Sequence, residues 1–454
     1  MNIHFIAIGG AAMHNLALAL HQKGFNVSGS DDEIFEPSRT RLENKGLLPK
    51  EYGWFPEKIN SKLDAVILGM HAREDNPELI KAKKIGIPVF SYPEYLYEQT
   101  KDKTRVVIGG SHGKTTITSM ILHVLKTLDK SFDYMVGANI EGFDTMVSLS
   151  DAPVAIFEGD EYLSSPIDRR PKFHLYHPHI AVISGIAWDH INVFPTFDNY
   201  VDQFQIFADM IEPNGDFIYF SGDENLQNIA KKVRNDVKVC AYSALDHKVE
   251  NGITYLDTPQ GDIQLSVFGQ HNMQNLSVAK EVCNRIGISD NEFYEAIKSF
   301  GGAAKRLQTL ATSEQTTIYL DFAHSPSKLK ATTQAVKAQF ADRKLIACME
   351  LHTFSSLKAD FLPQYNGAMD AADEAIVFFN PEVIKHKRLE NITAKQVKEA
   401  FGGNVTVYTD SNELQTYLRK LDLKNKNLLL MSSGNFSGIE FSRFAKELIS
   451  PQRH

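Results

Sequence analysis

Short, almost uninterrupted apolar runs recur along this chain, and most of them lead into a glycine-bearing turn and then into apolar positions spaced three and four apart. Val106-Val107-Ile108, Val154-Ala-Ile-Phe157 and Ala181-Val-Ile-Ser184 have no polar alternation, the pattern of strands covered on both faces in a parallel sheet. Leu16, Ala17 and Leu20, and later Met120, Ile121, Val124 and Leu125, have the spacing of helices with one buried face. Thr317–Asp321, Leu345–Cys348, Ala375–Phe379, Val405–Tyr408 and Leu428–Met431 repeat the alternation to the end of the chain. The pattern predicts an α/β protein of three domains, residues 1–99, 100–303 and 304–454, each built around a largely parallel sheet.

The opening unit runs from Ile3–Ile8 through Gly9 and Gly10 to a helix, then to a strand ending at Ser30-Asp31. An acidic residue some twenty positions after the glycines is where nucleotide-binding βαβ units hold a ribose. Here Ala7 and Ala12 occupy the outer glycine positions, so a purely structural turn is the alternative. His71 and Arg73 follow the strand Asp64–Gly69 and are candidate substrate contacts at its carboxyl end; solvated loop residues are the other reading.

The strongest chemical signal is Gly110-Ser111-His112-Gly113-Lys114-Thr115-Thr116, between a predicted strand and a predicted helix. Glycines turn backbone N–H groups toward one point and the helix N-terminus adds partial positive charge, so this turn is built to hold phosphate. Lys114 would reach the terminal phosphates and the Thr115 hydroxyl would ligate Mg2+. Glu158-Gly-Asp160-Glu161 ends the next strong strand and offers carboxylate oxygens to the same cation. His190 ends a further strand at the same sheet edge. Arg169 and Arg170 lie in a basic turn that either faces an anionic substrate or is simply solvated. Farther on, His271, Asn272 and Asn275 open a helix. Arg306 and Asp321 stand at the entry of the last domain, followed by His324.

Composition narrows the partners. Net charge is −8, from 48 basic and 56 acidic residues with no basic cluster, which argues against nucleic acid. Cys240, Cys283 and Cys348 lack paired spacing, which argues against zinc and disulfides and fits a reducing, cytoplasmic setting. No apolar stretch approaches membrane-spanning length, and 43% hydrophobic residues suffice for real cores.

Taken in order, Gly110–Thr116, Glu158-Gly-Asp-Glu161, Asp189-His190, Gly269-Gln-His-Asn-Met-Gln-Asn275, Lys305-Arg306 and Asp321-Phe-Ala-His-Ser-Pro326 resemble the Mur ligase family over essentially the full length. The resemblance implies a Rossmann-like UDP-binding first domain, a central P-loop domain and a Rossmann-like C-terminal domain. It implies an ATP-dependent ligase of the cell wall that phosphorylates a carboxylate and lets an amine attack the acyl phosphate. Lys114 would hold the phosphates, Thr115 and Glu158 one magnesium and His190 a second, and His271, Asn272 and Arg306 the ATP, with Asp321 on its ribose and His324 near the transfer site. Gly9, Gly10, Ser30 and Asp31 match where UDP-N-acetylmuramate binds. Several members carry a carbamylated lysine fourteen residues after the strand-end histidine; that position is Phe204 here.

For the amino substrate the resemblance points two ways. Glu158–Tyr162, Asp168–Tyr176, Asn76-Pro77 and Met431–Gly438 are similar to members that take L-Ala-γ-D-Glu-meso-diaminopimelate, and that tripeptide is the main expectation. Glu350-Leu-His352-Thr-Phe354 leans toward members that take L-alanine, which is the alternative. A non-enzymatic nucleotide-binding switch is a further one.

Overall fold

A computed structural model describes residues 1–138, 140, 142–188 and 193–450. The chain forms two compact units. The first comprises Met1–Ile186, Pro195–Ser243 and Val278–Phe293; the second comprises Ala187–Phe194, Ala244–Ser277 and Tyr294–His454.

The first unit holds two sheets. Strands β1 (Asn2–Ile6), β2 (Asn26–Ser30), β3 (Ala65–Leu68) and β4 (Val89–Ser91) pair in the order β2-β1-β3-β4, all parallel. The second sheet is built from β5 (Thr104–Gly109), β6 (Asp133–Met135), β7 (Val147–Ser148), β8 (Val154–Glu158), β9 (Ile180–Ile183), β10 (Asp216–Phe220) and β11 (Lys238–Tyr242). Its order is β11-β10-β9-β5-β8-β6-β7, parallel except for the edge strand β7. The central strands β5, β8 and β9 are buried almost throughout, as their unbroken apolar runs require. Because β5 lies between β9 and β8, the carboxyl ends of all three open at one edge. Register sets Ile108 beside Glu158 and Gly109 beside Ile183. That edge carries the chemistry.

The second unit contains a three-stranded antiparallel sheet, β12 (His247–Glu250), β13 (Ile253–Leu256) and β14 (Ile263–Leu265). Its larger sheet is formed by β15 (Gln308–Thr312), β16 (Thr317–Asp321), β17 (Lys344–Glu350), β18 (Glu374–Phe378), β19 (Val405–Tyr408) and β20 (Lys426–Met431), in the order β15-β16-β20-β17-β18-β19. Successive residues of these strands alternate between two cores: Ala347, Met349, Val377 and Leu429 enter one, and Ile346, Cys348, Ile376 and Leu428 enter the other. A sheet covered on both faces follows. No helix among the described residues is long and apolar enough to cross a membrane.

Candidate active site

The phosphate-loop sequence forms the turn between β5 and a helix, Lys114–Thr127, that starts from Gly113 in the left-handed region at φ 78°. Gly110 is also left-handed, at φ 121°, and a Cβ there would lie 2.7 Å from the backbone nitrogen of Ser184. The end of β9 therefore closes on the loop. The Ser111 amide donates to Gly185 O at 2.9 Å, and the Ser184 hydroxyl donates to His112 O. Thr116 is buried in the first turn of the helix.

Within this frame the candidate residues meet. The Thr115 hydroxyl donates to Glu158 Oε1 at 2.8 Å, and the Gly137 amide donates to Glu158 Oε2 at 2.9 Å. Lys114 Nζ donates to Gly110 O and to Glu161 Oε2, both at 2.7 Å. Burial alone would push the Lys114 ammonium down, but Glu161, Asp160 and Glu158 more than offset it and hold its pKa above the ordinary value. The donor set fits a magnesium nucleotide: a hydroxyl and a carboxylate, both hard oxygens, lie within hydrogen-bonding distance beside a helix N-terminus and an ammonium. Thr115 and Glu158 would hold the cation, which would supply charge neutralisation at the phosphates. Among the described residues no group of three or more His, Cys, Asp or Glu side chains stands ready to hold a metal. Asp189 and His190 lie outside the described residues. Phe204, at the lysine position, is fully buried against Phe173 and Tyr200, with ring centroids 5.5 and 5.1 Å away.

The first sheet has a glycine turn of its own. The Gly9 amide donates to Asp31 Oδ2 at 2.7 Å, and a Cβ on Gly9 would meet that oxygen at 2.9 Å and Ile34 Cγ1 at 2.8 Å. Burial raises the pKa of Asp31. Ala7, at a fingerprint glycine position, adopts φ 67°, and its amide and that of Ile8 both donate to Ser30 O. Lys58 Nζ donates to the Ser30 hydroxyl at 3.3 Å. His71 Nδ1 lies 3.7 Å from where a Gly10 Cβ would stand, whereas Arg73 is exposed beside Asp75. Asp31, Ser30, Gly9, Gly10 and His71 thus cluster at one strand end, and Arg73 reaches into solvent.

Arg170 is held by Asp168 through two donors, at 3.0 and 2.6 Å, and lies 3.5 Å from Glu94. Arg169 is exposed, and both arginines line a groove of about 500 Å³ with His174, Gln203 and Met210. In the second unit, Asp321 is buried and accepts from the Leu307 and Ala323 amides, both at 2.7 Å, which pins the loop carrying Arg306. The Arg306 guanidinium stacks 4.7 Å over the Phe322 ring. His324 Nδ1 is 2.8 Å from Phe322 O. Asn272 and Asn275 turn inward: Asn272 Nδ2 donates to Phe268 O at 2.8 Å, and the two amides meet at 3.4 Å. Burial lowers the pKa of His271.

Two residues at the phosphate loop have roles that the sequence did not assign, and of the three carboxylates offered to the cation Asp160 and Glu161 are taken by Lys172 and Lys114. Glu161 looked like one of three equivalent carboxylates, yet it takes Lys114. Tyr200 gave no signal, yet its hydroxyl donates to Glu161 Oε1 at 3.1 Å.

A lysine and a hydroxyl–carboxylate pair on a strand-turn-helix loop are the arrangement that nucleoside-triphosphate-binding proteins use. Family models match the chain in three consecutive parts: Mur ligase family, catalytic domain, over residues 2–104; Mur ligase middle domain over 108–283; and Mur ligase, glutamate ligase domain, over 305–434. A curated relative, the UDP-N-acetylmuramate–L-alanine ligase of Sulfurihydrogenibium sp., is 30% identical over 447 residues, covering 96% of this chain and 95% of the relative. The solved UDP-N-acetylmuramate–alanine ligase of Thermotoga maritima superposes with a TM-score of 0.69 at 20% identity, covering 99% of this chain and 98% of that one. A murein peptide ligase from Psychrobacter arcticus 273-4 gives 0.64 at 23% identity, with 99% of both chains covered. The chain belongs to the Mur ligase family. It is an ATP-dependent ligase that forms amide bonds in peptidoglycan synthesis.

Proposed function

We propose that this enzyme joins the carboxylate of UDP-N-acetylmuramate to L-alanine. The observation that carries the choice of amino substrate is the 30% identity, over nearly the whole of both chains, to a ligase named for L-alanine. The tripeptide expected from the runs around Glu158 and Asp168 has weaker support, since the likeness to a murein peptide ligase, at 23% identity, speaks to the fold alone. Glu350-Leu-His352 sides with L-alanine as well. Glu350 is buried at the end of β17, where it accepts from the Phe436 amide at 2.8 Å and lies 3.5 Å from His352 Nδ1.

A carboxylate is a poor electrophile, so transfer of the terminal phosphoryl group of ATP to it creates a mixed anhydride with a good leaving group. The amine then attacks the acyl carbon, the amide forms, and phosphate leaves with ADP as the other product. Lys114 and the helix N-terminus Lys114–Thr127 would offset the negative charge on the transferring phosphoryl oxygens. Thr115 and Glu158 would hold one Mg2+, with His190 assigned to a second from the resemblance. Gly9, Gly10, Ser30, Asp31 and His71 would receive the UDP moiety. Arg169 and Arg170 would face the anionic substrate, with Asp168 competing for Arg170. His271, Asn272, Arg306 and Asp321 as ATP contacts and His324 near the transfer site rest on the resemblance, and the domain division 1–99, 100–303 and 304–454 on the alternating pattern of the sequence.

ADP release is to be measured with ATP, magnesium and UDP-N-acetylmuramate, offering L-alanine in one reaction and L-Ala-γ-D-Glu-meso-diaminopimelate in another, with Lys114→Ala as the inactive control. Turnover confined to L-alanine is expected. Turnover confined to the tripeptide would overturn the choice of acceptor, and none with either would overturn the assignment.

A further inference from the structure

We infer that Glu161 is the positioning residue for the phosphate-loop lysine, and that with Tyr200 and Ser111 it forms a hydrogen-bonded ring that aims the Lys114 ammonium before nucleotide arrives. The inference rests on the reading of Gly110–Thr116 as an ATP loop.

The ring closes through five groups. Ser111 Oγ and Tyr200 Oη are 2.9 Å apart, Tyr200 Oη and Glu161 Oε1 3.1 Å, Glu161 Oε2 and Lys114 Nζ 2.7 Å, and Lys114 Nζ and Gly110 O 2.7 Å. Gly110 and Ser111 are consecutive, so the backbone completes the circuit. Its hydrogen bonds have a direction. An ionised carboxylate only accepts, so the Tyr200 hydroxyl proton must point at Glu161, and the Ser111 hydroxyl must in turn donate to Tyr200. Glu161 is 1% exposed and Tyr200 fully buried, so this side of the ring is dry. The Lys114 side chain keeps 15% of its surface open, the route by which a phosphate oxygen can reach it.

The acidic run divides its labour accordingly. Glu158 spends its oxygens on Thr115 and Gly137, and Asp160 pairs with Lys172 at 2.6 Å. Glu161 is the carboxylate bonded to the lysine. A free lysine side chain carries substantial rotamer entropy, and a site that has already restricted it binds phosphate at a smaller entropic cost. A buried carboxylate fixed on its far side by a tyrosine is a rigid anchor for that purpose.

The test uses the full chain. Glu161→Gln keeps the shape and can still accept from Tyr200, but it lacks the charge; Tyr200→Phe keeps the charge and loosens it. Binding of ATP and of ADP in the presence of magnesium is to be measured by calorimetry, together with kcat and the thermal midpoint. Because the ammonium serves the terminal phosphate, Glu161→Gln is expected to weaken ATP by about tenfold or more. ADP should bind nearly as in the wild type, and kcat should fall. Tyr200→Phe should act in the same direction by less. Unchanged ATP affinity and kcat would overturn the inference, as would tighter ATP binding, which would make Glu161 a competitor. Equal losses for ATP and ADP alongside a lowered thermal midpoint would reduce the ring to a structural role and overturn it too. If the wild-type chain binds no ATP, the reading of the loop itself falls.

Discussion

At the scale of single residues, like groups divide their work by direction: Lys114 donates to Glu161 Oε2 at 2.7 Å, while Glu158 takes the Thr115 hydroxyl at 2.8 Å. Glu161 was not legible as the lysine's partner: Glu158, Asp160 and Glu161 are chemically alike, and only side-chain direction separates their roles. His174 gives another residue-scale case. It is 4% exposed, its Nε2 hydrogen-bonds Gln203 O at 2.8 Å, and burial lowers its pKa from 6.5 to about 4. With the folded value below the unfolded one, its contribution to stability is complete above pH 6.5 and is lost as pH falls toward about 4. The loss is on the order of 3 kcal/mol. Chemical denaturation at pH 7 and pH 4.5 should show a steeper decline for the wild type than for His174→Gln. Parallel declines would show that this imidazole does not titrate on unfolding.

Among elements, the central parallel strands were readable because burial on both faces leaves uninterrupted Val, Ile, Leu and Ala. The parallel strands β4, β6, β10 and β11, the antiparallel sheet β12-β13-β14 and the edge strands β7 and β15 were not read from the sequence. Segments such as His247–Glu250 and Gln308–Thr312 are largely exposed and polar, so no apolar run marks them. The turn between β5 and the helix Lys114–Thr127 depends on a conformation as well as on a sequence. Gly110→Ala would place a methyl group against Ser184 while the backbone stays left-handed, at a cost of about 1–3 kcal/mol in strain. The expected outcome is a lowered thermal midpoint together with weakened ATP binding, read by melting and calorimetry on one preparation. Wild-type ATP affinity in this variant would contradict the close fit of the loop against the end of β9.

For the whole molecule, the three thiols report on packing. Cys283 and Cys348 are fully buried, and burial pushes both thiols up, whereas Cys240 is partly exposed. One thiol should react with Ellman's reagent in the native enzyme and three after denaturation; prompt reaction of all three in the native state would contradict the cores described here. Sequence by itself determined the alternating α/β plan, the phosphate loop and the family, because periodicity and short spacings depend only on near neighbours in the chain. Tertiary structure alone decided that Lys114 meets Glu161 and Glu158 serves Thr115, that Tyr200 closes the ring, and that Asp31 folds onto Gly9. These partners lie 22 to 89 positions apart. They meet because of the order in which strands pair, β1 beside β2 and β5 between β8 and β9, and no local pattern encodes that order.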